Sequence, residues 1–235
     1  MVQQTADGAK HLTAPMLFGL RVVMLGRQGS GKGTQGVQLS RLLVVPHVSV
    51  GDVLREAARS ETPAGRQAQE TMERGELVDD DLVVSLVGER LAAPDVRSGG
   101  FVLDGFPRTV EQAEALASML KDLSMKLDAV LSYDLPIEQI VSRLSGRRTC
   151  AGCKAVYHVT TKPPKVADVC DSCGGKLVLR EDDRPEAIRV RMLAYEKSTA
   201  PLADYYRQRG LLVSIPADGS PEDIYKRTVA ALAAR

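Results

Sequence analysis

Nine residues near the start of the chain, Gly26-Arg27-Gln28-Gly29-Ser30-Gly31-Lys32-Gly33-Thr34, have the types and spacing of a phosphate cradle. Glycines allow main-chain N–H groups to turn inward onto phosphate oxygens, an approach that side chains would obstruct. Lys32 stands where it reaches the outer phosphates, and a helix opening behind it adds partial positive charge. The pattern GxxxxGK is complete, with its hydroxyl one place late, as Gly33-Thr34. A second string, Asp104-Gly105-Phe106-Pro107-Arg108-Thr109, is followed by Gln112 four residues after Arg108. An Asp at a strand end beside a phosphate loop is suited to organise Mg²⁺ and its waters, and Arg108 offers a planar fork for a phosphate.

The cysteines form a third constellation, Cys150-Ala151-Gly152-Cys153 and Cys170-Asp171-Ser172-Cys173, with sixteen residues between the pairs. Two CxxC knuckles at that separation close a tetrahedral thiolate site for Zn²⁺. With sulfur at all four positions the metal keeps no place for water, so its expected role is structural. A lobe of this size has too small a core to hold itself together, and the ion substitutes for one. From Arg143 to Arg191 there are eleven Lys and Arg against six Asp and Glu. A Zn²⁺ held by four thiolates offsets part of this excess and leaves the lobe positive. Tyr157 is its one aromatic, which gives no stacking platform for bases, so a triphosphate matches the charge better than a nucleic acid.

The elements that must position these groups alternate along the chain. Apolar runs at Leu20–Leu25, His47–Val50, Phe101–Asp104, Ala129–Tyr133 and Leu211–Ile215 read as five buried strands. Periodic stretches at Leu82–Leu91, Val110–Leu120 and Glu186–Gln208, and a C-terminal helix begun by Ser220, Pro221 and Asp223, lie between and after them. This predicts an α/β fold, a five-stranded parallel sheet with helices on both faces. The expected core is 19–49, 82–145 and 185–235, with a helical insertion at 50–81 and a zinc-bound lid at 146–184. Residues 1–18 are expected to be a loose N-terminal extension.

The GKGT ending resembles the nucleoside monophosphate kinase branch of the P-loop NTPase fold. DGFPRT with Gln112 resembles the adenylate kinase signature, and the likeness runs from about Leu20 to the C-terminus, with zinc-bearing bacterial members as the nearest type. That resemblance implies reversible phosphoryl transfer from ATP-Mg to AMP, giving two ADP. It places ATP at Gly29, Ser30, Gly31, Lys32, Gly33 and Thr34. Arg143 and Arg147 would embrace the donor, Val156 and Tyr157 would line its base or ribose, and Pro221 would meet the adenine. AMP would lie against Gly105, Phe106, Pro107 and Arg108, with Gln112 on the adenine edge. Val50 falls in the acceptor motif, Arg55 would take the AMP phosphate, and Glu76, Leu77 and Val78 would offer main-chain groups to the base. Arg180 and Arg191 would bridge both substrates, oriented by Asp182 and Asp183. The catalytic set implied is Lys32, Arg108, Arg143, Arg147, Arg180 and Arg191, with Asp104. The chain departs from the pattern at Gln28, where relatives carry Pro, and at Val50, where they carry Thr. Similar pyrimidine kinases carry Asn at the Thr109 and Gln112 positions.

Composition agrees with such a protein. The 235 residues carry a net charge of +1, unlike the strongly basic domains that bind nucleic-acid backbones. No run approaches the roughly 18 apolar residues of a membrane span, and the paired cysteines suit a cytoplasmic enzyme. A monomer is expected from the resemblance. The competing readings are a UMP/CMP kinase and a zinc-ribbon ATPase stimulated by nucleic acid.

Overall fold

The computed structural model describes residues 19–59 and 63–235, so the extension expected at 1–18 lies outside the described residues. From the N-terminal side, β1 (Arg21–Leu25) leads to α1 (Lys32–Leu43) and β2 (His47–Ser49). Then come α2 (Val50–Arg59), α3 (Pro63–Glu73), α4 (Asp80–Ala92) and the short α5 (Pro94–Gly99), which ends at β3 (Phe101–Asp104). After α6 (Val110–Asp122), β4 (Ala129–Asp134) and α7 (Ile137–Ser145) stand three short strands, β5 (Arg147–Cys150), β6 (Val156–His158) and β7 (Leu177–Val178). The chain closes with α8 (Pro185–Ala194), a π-helical turn over Tyr195–Thr199, α9 (Leu202–Gln208), β8 (Leu212–Pro216) and α10 (Pro221–Ala233).

The main sheet has the order β2-β3-β1-β4-β8, and every pair in it is parallel. Its apolar runs are continuous because both faces are covered. Val22 and Met24 face one buried cluster with Leu39, Ile140 and Ile224, while Val23 and Leu25 face another with Leu54, Leu116 and Tyr206. Strand order reverses around β1, and the loops that leave the carboxyl ends of β1 and β3 face one crevice, where ligands bind in open α/β sheets. Each of the five predicted strands is present to within one residue.

Residues 50–81 hold α2, α3 and the start of α4, with no strand. The cysteine lobe contains a separate antiparallel sheet, β6-β5-β7, which apolar periodicity did not announce because its strands are two to four residues long. Sequence reading also passed over α5 and α7. The stretch Glu186–Gln208 is not one helix. Pro201 has no N–H to continue the ladder, and just before it the chain widens so that Ala200 N–H donates to Tyr195 O at 2.8 Å. The C-terminal helix begins as its sequence specifies: Ser220 Oγ accepts from Asp223 N–H at 3.2 Å, and Asp223 Oδ2 accepts from Ser220 N–H at 3.3 Å.

Candidate active site

The loop from β1 to α1 is shaped by its glycines. Gly26, at φ 137°, leaves no room for a side chain, since a Cβ would lie 2.6 Å from Tyr133 O. Gly31 caps α1 in the left-handed region with no side chain of its own, which leaves the first N–H groups of the helix facing outward. Lys32 folds back over the loop and donates through Nζ to Gly26 O at 2.6 Å and Arg27 O at 2.9 Å. Burial pushes the Lys32 pKa down to about 8; nearby Asp104 opposes this, while Arg108, Arg191 and Arg147 add to it. Those four side chains therefore share one electrostatic neighbourhood with the amine. Ser30 Oγ and Gln28 Oε1 are buried in the same loop without a hydrogen-bond partner.

Asp104 ends β3 facing the start of α1, where a Cβ on Gly33 would lie 3.6 Å from its Oδ2. His47 Nε2 is 3.9 Å from the same oxygen. The strand then gives way to the loop carrying Arg108, whose main chain and side chain are both held. Its N–H donates to Gln112 Oε1 at 2.7 Å, its Nε to Gly105 O at 2.9 Å, and its carbonyl accepts from Thr199 Oγ1 at 2.8 Å. Phe106 is fully buried beneath. Thr109 caps α6 by accepting from Gln112 N–H at 3.1 Å. Gln112 is itself buried, and its Nε2 donates to Asp80 Oδ1 at 2.6 Å.

Across the crevice, Val50 opens α2 with its side chain in the apolar cluster beside Val48 and Leu54. Burial explains why a methyl-bearing side chain suits this position. Arg55 pairs with Asp52 at 2.6 Å. Glu76 is exposed and pairs with Arg74, Leu77 is half-buried, and Val78 is buried. Gly75, just before them, packs so closely on α8 that a Cβ would lie 2.5 Å from Ala187 O.

The remaining arginines are held by two adjacent carboxylates. Asp183, with no exposed side-chain surface, accepts a two-pronged contact from Arg147 at 2.6 and 2.5 Å. Asp182 accepts a second from Arg180 at 2.8 and 2.5 Å, and its Oδ2 also lies 3.0 Å from Arg191. Burial alone would raise the Asp182 carboxyl, but Arg191 and Arg180 outweigh it and hold it well below the usual carboxylate range. Burial lowers Arg191 to about 10. Three planar forks are thereby fixed in orientation with donors to spare. Arg143 stands apart from this lattice, with Nη2 on Ala217 O at 3.1 Å and Nη1 3.4 Å from Ser30 O. Gln35 Nε2 donates to Pro221 O at 2.8 Å, which ties α1 to the start of α10.

The four cysteine sulfurs lie within 4.8 Å of one another. Cys150–Cys173 and Cys153–Cys170 Sγ distances are each 3.5 Å, near the roughly 3.8 Å between ligands of a tetrahedron with ~2.3 Å metal–sulfur bonds. Two tight turns present them: Lys154 N–H donates to Cys150 O at 3.2 Å and Gly174 N–H to Cys170 O at 2.8 Å. The lobe's buried core is Cys150, Tyr157, Cys170 and Leu177. The donor set and spacing fit Zn²⁺, and so small a core fits a lobe held together by metal.

Two expectations need correction. Tyr157 does not present its side chain to the crevice. It is buried in the cysteine lobe, where its hydroxyl accepts from Asp171 N–H at 2.8 Å and lies 3.5 Å from Cys170 Sγ. Val156, next to it on β6, is exposed. Gln112 is not free to approach a base with its whole amide, since both ends are engaged. Sequence reading missed Asp80 and Thr199, which hold Gln112 and Arg108. No motif marks either residue, because each acts through a contact more than 25 residues distant.

Comparison with known proteins gives one consistent result. The family profile described as adenylate kinase matches residues 24–211. The adenylate kinase of Acidothermus cellulolyticus is 49% identical over 213 residues, covering 91% of this chain and 98% of its own. That of Archaeoglobus fulgidus is 46% identical with the same coverage, and that of Trichlorobacter lovleyi is 49% identical over 91% of this chain and 99% of its own.

Proposed function

The chain belongs to the adenylate kinase family, hence is a nucleoside monophosphate kinase, and on that premise we propose that it moves a phosphoryl group reversibly from ATP-Mg to AMP, giving two ADP. The observation that carries this reading is the gathering of Lys32, Arg108, Arg147 and Arg191 in one electrostatic neighbourhood between the phosphate loop and the loop after β3. Such a cluster of fixed cations is costly without anions to receive, and two polyanions placed end to end supply them.

In this reading an oxygen of the AMP phosphate attacks the terminal phosphorus of the donor. One P–O bond forms, the bond to the bridging oxygen breaks, and the second ADP leaves with that oxygen. The second pKa of a phosphomonoester is near 6, so the nucleophile is already ionised and no general base is needed. Positioning and charge stabilisation then account for the rate. Lys32 and the outward N–H groups at Gly29–Thr34 hold the donor phosphates, with Arg143 and Arg147 beside them, and Val156 and Pro221 flank its nucleoside. Arg108 and Arg55 hold the acceptor phosphate, with Val50, Gly105, Phe106 and Pro107 bordering it. Arg180 and Arg191 span the two. Glu76, Leu77, Val78 and Gln112 address the base. Mg²⁺, when bound with ATP, neutralises charge on the transferring group, and Asp104 is placed to hold its waters. Zn²⁺ at Cys150, Cys153, Cys170 and Cys173 stiffens the lobe. The same reading has ATP and AMP as partners, without nucleic acid or membrane, and a cytoplasmic monomer.

A coupled assay of ADP formation from ATP-Mg with AMP, CMP, UMP or GMP as acceptor tests it. AMP is expected to exceed each of the others by at least about 100-fold in kcat/KM, as hydrogen-bond readout permits. A pyrimidine acceptor of equal rate, or ATP consumption that depends on DNA or RNA, would refute the assignment.

A further inference from the structure

We infer that Asp80 decides which purine the acceptor pocket reads, by fixing which way round the Gln112 carboxamide lies; the inference rests on the proposed place of Gln112 at the base. Gln112 is 2% exposed, and each end of its amide meets a partner with one possible role. Its Oε1 accepts the Arg108 N–H at 2.7 Å, and its Nε2 donates to Asp80 Oδ1 at 2.6 Å. A main-chain N–H can only donate, and a carboxylate can only accept. Asp80 is steadied in turn by the Thr109 hydroxyl, 3.3 Å from its other oxygen. It also stands in the first turn of α4, where the helix favours negative charge.

Turning the amide over would set oxygen against oxygen at Asp80 and N–H against N–H at Arg108. Its unused capacity is therefore one lone pair on Oε1 and one N–H on Nε2. That pairing complements an exocyclic amine beside a bare ring nitrogen, the edge of a 6-aminopurine. It opposes a carbonyl beside a ring N–H, the edge of a 6-oxopurine. Asp80 is thus a positioning residue for specificity, acting through Gln112.

The test compares AMP with IMP, which keeps the purine's shape while exchanging donor and acceptor on that edge. ADP formation from ATP-Mg is followed for wild type, Asp80→Asn and Asp80→Ala, with kcat and KM resolved for each acceptor. Asparagine can donate to a reversed Gln112, so the IMP:AMP ratio of kcat/KM is expected to rise about tenfold, the scale of one buried hydrogen bond. The Asp80→Ala variant removes the acceptor without supplying a donor and should raise the ratio less. It also decides the matter if Asp80→Asn fails to fold. A purely structural role would slow both acceptors alike, so an unmoved ratio in folded variants of an AMP-active enzyme overturns the inference. A wild type that makes no ADP from AMP overturns the base reading itself, and this inference falls with it.

Discussion

Lys32 shows how one residue's surroundings set a measurable pH dependence. Its amine is lowered to about 8 from an ordinary 10.5, chiefly by burial. A polyphosphate favours the ammonium form, so above pH 8 the free enzyme must take up a proton to bind. ATP affinity should be level below about pH 8 and then fall, approaching tenfold per pH unit. Titration calorimetry from pH 7 to 9.5 checks this, and a level profile throughout would contradict it. Without ligand the trend reverses, because the unfolded chain holds more protons than the folded one between about 8 and 10.5, and stability rises with pH across that window. The string around Arg108 was legible in sequence because its groups act from consecutive positions. What Arg108 and Gln112 lean on was not. Thr109 and Gln112 spell T-x-x-Q, a capping pair, yet the Gln112 side chain reaches Arg108 N–H, one residue beyond the cap. Tyr157 misled for a related reason. Its neighbour Val156 faces outward, and strand alternation on β6 turns Tyr157 into the lobe.

Elements were legible to the degree that periodicity had length in which to repeat. The five strands of the main sheet each carry an apolar run, whereas β6 and β7 are too short to repeat anything. The lobe they belong to is specified by its cysteines, and its stability should follow the metal. Removing zinc with a chelator is expected to lower the melting midpoint by roughly 5–10 °C, given about 2–4 °C per kcal/mol in a chain of this size. Turnover at 25 °C should stay within about threefold, because the thiolates hold no water to activate. The Cys153→Ser variant should behave likewise. Metal content, calorimetry and the coupled assay read all three quantities. Loss of turnover with an unchanged melting curve would sink the structural role. At the other end of the lobe, Asp182 and Asp183 clamp Arg147, Arg180 and Arg191, so rigidity extends from the metal to the guanidinium groups.

For the molecule as a whole, the electrostatics join parts that are far apart in sequence. Asp52 on α2 lies close enough to Arg180 for the arginine to help lower its carboxyl, although burial works against this and Arg55 contributes more. The crevice is thus enclosed from both sides, and water is kept from the transferring group. ATP consumption without an acceptor should accordingly run at least about 100-fold slower than with AMP. Omitting AMP from the coupled assay measures it, and comparable rates would mean the crevice admits water freely. The π-helical turn at Tyr195–Thr199 bears on the whole chain in another way. Glu196 within it pairs with Arg27 of the phosphate loop, and Thr199 with the carbonyl of Arg108. Such a turn accommodates one residue more than an α-helix of equal rise. Deleting exposed Lys197 would rewind the segment and swing everything after it by about 100°. Leu202 and Tyr206 would leave the interior and the β8 edge of the sheet would lose its register. Evolution can replace residues in this stretch far more readily than it can change their number.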